Sequence, residues 1–120
     1  MKTHKDLDVW KKAVDFVIDI YEITKTFPKN ELYGSTNQNR RASVSIPSNI
    51  AEGAGRAYDK EFRQFLNIAL GSIAEVDTQL LIAFKLSYLI KDKYVQLENE
   101  LIDIRRMTLG LRKYLNEKSK

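Results

Sequence analysis

The stretch DKEFRQFLNIALGSIAEVDTQLLIAFKLSYLI, residues 59–90, decides the fold. Phe62, Ala69, Val76, Ala83 and Ile90 recur every seventh residue, and Leu66, Ile73, Leu80 and Ser87 form a companion series four residues on, so one apolar stripe keeps to one helical face. No proline interrupts it. The pattern predicts a helix of about 30 residues, roughly 45 Å long at about 1.5 Å per residue, which needs neighbours of similar length. Phe65, Ile68, Leu70, Leu81, Ile82 and Phe84 widen the stripe beyond a two-stranded seam and imply contact with more than one helix, with width left over for another subunit. Asp59 is expected to cap the N-terminus and Glu61 to place negative charge in the first turn. Gly71 interrupts the helix interior, where glycine costs about 1 kcal/mol relative to alanine, and is expected to mark a close helix crossing.

Working outward, the chain supplies three more helical segments. Downstream, Leu97, Leu101, Ile104, Thr108, Leu111 and Leu115 repeat at steps of four and three behind Asp92, an expected N-cap. Gly110 in this segment is read as a packing position, and Asn116 to Lys120 as a frayed end. Upstream, Gly34 to Glu52 forms a second helical region whose apolar anchors Val44, Ile46 and Ile50 alternate with small polar residues that permit close packing. Pro47 is expected to bend or divide it, because proline lacks an amide and crowds the preceding turn. Gly53 and Gly55 suit the exit from that helix. The first helix is read from Leu7 to Phe27, with Trp10, Ala13, Val14, Val17, Ile20, Tyr21 and Thr24 on its apolar side and Phe16 and Ile23 broadening it; Pro28 ends it, and Leu32 and Tyr33 are expected to cover its end. The expected fold is therefore all-α, one domain over residues 1–120, an antiparallel four-helix bundle with a bend near Pro47.

With 120 residues the chain can enclose one substantial core. It has no cysteine, which excludes a disulfide scaffold and a thiolate metal site and is compatible with a reducing cytosol. No secretory leader is recognisable and no uninterrupted apolar run reaches the ~18 residues of a membrane span, so a cytoplasmic protein without a membrane partner is expected. The net charge is +4, and the excess is even: each half of the chain carries ten basic and eight acidic residues. No basic tail stands out. A folded surface could still gather Arg40, Arg41, Lys60, Arg63, Arg105, Arg106, Arg112 and Lys113.

Catalytic signals are weak. Gly53 to Tyr58 lacks the lysine followed by serine or threonine of a phosphate loop, and no strand precedes it. His4 is the only histidine, a poor seed for a metal site, and the serines beside Pro47 form no nucleophile elbow. Glu52 and Glu75 are a pair of carboxylates without the histidines of a di-iron bundle. No cofactor or metal is expected, and an enzyme is the minor alternative.

More specific are Phe27-Pro28, Glu31, Tyr33-Gly34, Gln38, Arg40-Arg41-Ala42 and the run Ser45-Ile46-Pro47-Ser48-Asn49-Ile50-Ala51-Glu52-Gly53, continued by Lys60-Glu61-Phe62, Phe65-Leu66, Ile68-Ala69, Gly71-Ser72 and Glu75. With these residues the chain resembles the four-helix bundle proteins encoded in intervening sequences of bacterial large-subunit ribosomal RNA genes, often labelled as ribosomal proteins. It is also similar to the accessory bundle proteins of diversity-generating retroelements. The likeness spans nearly the whole chain, with residues 27–80 carrying most of its specificity. It implies a cytoplasmic helical protein assembled as a homo-oligomer, a five-subunit ring first, and a binding rather than a catalytic role. Thr36 and Asn39 depart from the family's pattern, which commonly has aliphatic side chains there.

The expected function is a non-enzymatic oligomeric scaffold or binding protein, with RNA, DNA or another protein as partner. A purely structural protein-interaction module is the alternative. Candidate phosphate contacts are Arg40, Arg41, Arg56, Lys60 and Arg63, which can position phosphate oxygens without reading bases. Asn49, Glu52 and Glu75 are read as an internal polar network.

Overall fold

A computed structural model describes residues 3–118. Four helices account for most of them: α1 Asp8–Thr24, α2 Asn37–Ala54, α3 Asp59–Lys85 and α4 Lys91–Lys118. No strand occurs among the described residues. Short connections turn each helix back on its predecessor, and α1 meets α4 to close an antiparallel four-helix bundle of 48 × 22 × 20 Å.

The core follows the helical periods. α3 contributes Phe62, Leu66, Ala69, Ile73, Val76, Leu80 and Ala83, and α4 contributes Leu97, Leu101, Ile104, Thr108 and Leu115, as their spacing predicts. α1 buries a narrower face than expected. Val9, Ala13, Phe16, Ile20 and Thr24 are buried, whereas Tyr21 is exposed. Buried hydroxyls are satisfied within their own helices: Thr24 Oγ1 donates to the Ile20 carbonyl and Thr108 Oγ1 to that of Ile104, each at 2.7 Å. Over an 18-residue window α3 is apolar enough to cross a bilayer, with a mean hydropathy of 1.3, but its apolar stripe is the centre of this core.

Several local expectations are corrected. α3 stops at Lys85, and Ser87 takes a left-handed backbone (φ 66°). There the Ser87 amide donates to the Phe84 carbonyl and the Tyr88 amide to that of Ala83, both at 2.9 Å, which satisfies the last helical carbonyls. Ile90 consequently lies outside the helix and is exposed. Asp59 is not a cap; it sits inside the first turn after Tyr58, and its carboxylate meets Lys118 at 3.4 Å. Asp92 likewise lies within the first turn of α4. That helix extends without fraying to Lys118, and the rest of the expected frayed end lies outside the described residues. Of the two outcomes expected at Pro47, division does not occur: α2 is one helix through this buried residue.

The close crossing is at Gly53 rather than Gly71. A methyl on Gly53 would lie 2.8 Å from Phe65 Cβ and 2.9 Å from Phe62 Cδ1, so α2 and α3 approach to a distance that only glycine permits. Gly71 and Gly110 face open space. Between α1 and α2 the chain makes a short turn, Lys29–Glu31, and then a wide one, Leu32–Thr36, with Gly34 out of helical geometry (φ −107°, ψ −112°). Tyr33 on this turn does not cover α1; it is 88% exposed. Thr36 and Asn39 are buried, and Asn39 Nδ2 donates to the Ser35 carbonyl at 2.8 Å, so Asn39 holds the wide turn against α2.

Candidate nucleic-acid interface

Antiparallel packing decides which basic residues become neighbours. The start of α3 lies beside the end of α4, and together they wall an open concavity of about 600 Å³ lined by Arg63, Asn67, Leu109, Arg112, Lys113 and Asn116. Arg112 Nη1 donates to Asn67 Oδ1 at 2.8 Å, and Arg63 Nη1 donates to the Leu115 carbonyl at 3.4 Å. These bonds hold the guanidinium groups across the helix pair. From residue 105 to residue 118, α4 carries Arg105, Arg106, Arg112, Lys113 and Lys118 against Glu117 alone. Cations at a helix C-terminus also complement its dipole.

The five phosphate contacts expected from sequence separate into two groups. Arg56, Lys60 and Arg63 lie where α2 gives way to α3. Arg40 and Arg41 are at the other end of α2, roughly 24 Å away for 16 residues of helix. Arg40 is committed to packing: its Nε donates to Thr24 Oγ1 at 2.9 Å and its guanidinium lies over the Tyr21 ring, 4.7 Å from the centroid. Arg56 pairs with Glu52 at 3.0 Å and lies over the Phe65 ring at 4.9 Å. Lys60 and Arg41 are exposed.

Arg41 opens onto a second concavity of about 550 Å³, lined by Tyr33, Asn37, Gln38, Ala42, Ser45 and Glu75 as well. The structure therefore does not join Asn49, Glu52 and Glu75. Asn49 Nδ2 donates to the Ser45 carbonyl at 2.7 Å, Glu52 pairs with Arg56, and Glu75 lines the same concavity as Arg41.

Charge on α4 changes sign along its length. In its first half Glu98 faces Asp77 of α3, and Glu100 faces Asp15 and Asp19 of α1. Desolvation, then the neighbouring carboxylates, pushes both glutamates up to about 7, with Lys12 opposing the shift at Glu100. One oxygen of each, Oε2, is buried without a hydrogen-bond partner. Protonation of either carboxyl in a pair would supply the donor that this oxygen lacks. No group of three or more metal-ligating side chains occurs among the described residues.

Arg112 and Lys113, left out of the expected contact set, were visible only as members of a broader basic inventory. The antiparallel register of α3 and α4 is what makes them neighbours of Arg63.

Residues 5–110 match the family described as 23S rRNA-intervening sequence protein. The chain belongs to that family. A crystal structure of a protein with unknown function from the S23 ribosomal protein family, from Bacteroides thetaiotaomicron, superposes with a TM-score of 0.81 at 24% identity, covering 88% of this chain and 95% of that one. That likeness supports the bundle fold. Comparison with curated proteins returns no match.

Proposed function

We propose that this 23S rRNA-intervening sequence family member is a non-enzymatic cytoplasmic scaffold that assembles as a homo-oligomer, with a pentamer as the leading stoichiometry, and holds nucleic acid through its phosphates. The carrying observation is the α3–α4 groove, where Arg63, Arg112 and Lys113 stand beside Asn67 and Asn116. Cations there can replace the counterions of a phosphate backbone, and carboxamides can donate to its oxygens. Such contacts position a strand without reading its sequence. Assembly repeats the groove and multiplies weak contacts. In support of assembly, Ile68 and Ile82 are exposed on one side of α3, two heptads apart. The same residues favour the second reading, a protein-interaction module without nucleic acid.

Titration of labelled RNA and DNA over several salt concentrations tests the proposal. The combined Arg112→Ala and Lys113→Ala variant is expected to weaken binding to unrelated sequences alike and to reduce the logarithmic salt slope by about 2. Light scattering is expected to give a mass above the 13.9 kDa chain. Absence of wild-type binding at low salt leaves the protein-interaction reading, and a monomer at all concentrations removes assembly.

A further inference from the structure

The concavity at the start of α2 differs chemically from the α3–α4 groove. Its walls present one cation, one carboxylate, two carboxamides and one aromatic ring: Arg41, Glu75, Asn37, Gln38 and Tyr33. None of their side chains is engaged by a hydrogen bond or ion pair among the described residues. A bare phosphate is a poor match, because the Glu75 carboxylate repels it. The fitting ligand carries an anion at one end and N–H donors on a flat ring at the other. A nucleotide has both.

We propose that this concavity binds one nucleotide unit of a single-stranded nucleic acid, with Tyr33 stacking on the base, Arg41 holding the adjoining phosphate, and Glu75, Asn37 and Gln38 meeting the base edge. The inference rests on the nucleic-acid reading above and gives it a strand type. In a duplex the base N–H donors that Glu75 would accept from are paired and the ring faces are stacked, whereas an unpaired strand offers both. RNA and DNA share this chemistry.

The site is preorganised. Tyr33 projects from a turn whose Ser35 and Thr36 are buried. Asn39 Nδ2 holds the Ser35 carbonyl at 2.8 Å, and Tyr88 Oη donates to Glu31 Oε2 at 2.8 Å, which ties the turn to the far end of α3. The ring is thus presented to solvent by a fixed backbone.

The test is fluorescence anisotropy with labelled single strands of about 10 nucleotides, within the site size of one stacking module, and with matching duplexes. Tyr33→Ala is expected to weaken single-strand binding about tenfold and to leave duplex binding unchanged, while Tyr33→Phe retains wild-type affinity. Unchanged single-strand affinity in Tyr33→Ala, alongside a loss in the Arg112→Ala/Lys113→Ala variant, overturns this site and leaves phosphate binding standing. Equal losses on single strand and duplex overturn base stacking. A fall in oligomer mass on Tyr33→Ala makes the concavity a subunit seam and overturns the proposal. Absence of wild-type binding to either probe removes the wider nucleic-acid reading and this site with it.

Discussion

The α2–α3 hairpin and the docking of α4 are built differently. Where α2 crosses α3 the contact is apolar and glycine-close, with Gly53 against Phe62 and Phe65, and with Ile46, Ile50, Leu66 and Ala69 fully buried. α4 also brings a leucine stripe, but its first half sets Glu98 against Asp77 and Glu100 against Asp19. The hairpin is held by close apolar packing rather than by titrating groups at the crossing. Attachment of α4 depends partly on protons. One bundle therefore contains a seam of close apolar packing and a seam that pH disturbs.

The largest test of this contrast is in the hairpin. Leu66→Ala removes a fully buried side chain and is expected to cost about 2–5 kcal/mol through lost transfer energy and the cavity left behind. Gly53→Ala is expected to cost about 1–3 kcal/mol by overpacking. Denaturant midpoints measured at pH 5 and pH 8 should show the same loss at both. A loss that changes with pH would break the contrast.

Next in size is the acidic seam. The folded protein holds Glu98 and Glu100 above their ordinary range, so it binds more protons than the unfolded chain and their stabilising contribution is complete at low pH. That contribution is lost as pH rises from the ordinary value of 4.5 through about 7. Both side chains are partly buried, and with solvent screening the effect is about 1 kcal/mol per pair. The combined Glu98→Gln and Glu100→Gln variant should flatten the pH dependence of urea unfolding between pH 5 and pH 8. An unchanged slope would remove these carboxyls as its source.

The smallest effects sharpen the picture at helix surfaces and ends. Ser87→Gly relieves a left-handed residue, and Gly71→Ala adds a methyl into open space. Each is expected to stabilise by about 0.5–1 kcal/mol. Destabilisation by Gly71→Ala in the assembled protein, with the mass reduced, would instead place Gly71 in a subunit contact.

These differences also explain what could be read from residues alone. The core of α3 was legible because spacing fixes which side chains share a face. Gly71 was misread as a crossing, although its position opposite Leu66, Ala69 and Ile73 on a helix of 3.6 residues per turn already placed it outside. Gly53 was visible as a helix exit and hid a packing role, since closeness is a property of two helices together. The acidic pairs were beyond reach for the same reason: Glu98 and Asp77 are 21 positions apart, and only the rotation of α4 on α3 makes them face. At the candidate site, Arg41 and Arg63 were named from sequence. Arg40 was assigned to phosphate because a charge count cannot see the Thr24 hydroxyl and Tyr21 ring that take it up. Tyr33 was read as a cover because the wide turn that lifts it from α1 has no simple period.

The connectivity of the bundle has a consequence for the order in which it assembles. Each helix packs chiefly on its neighbours in the chain, and only the meeting of α1 with α4 joins the two ends. Local contacts of this kind favour rapid folding from a hairpin nucleus. With α2 and α3 as that nucleus, α4 closes late, and its proton-sensitive contacts act after the rate-limiting step. We expect stopped-flow folding at pH 5 and pH 8 to share one refolding limb and to differ in the unfolding limb; a shift confined to refolding would put α4 in the nucleus. The acidic seam would then govern how long the folded ring of helices persists, and leave untouched how quickly it forms.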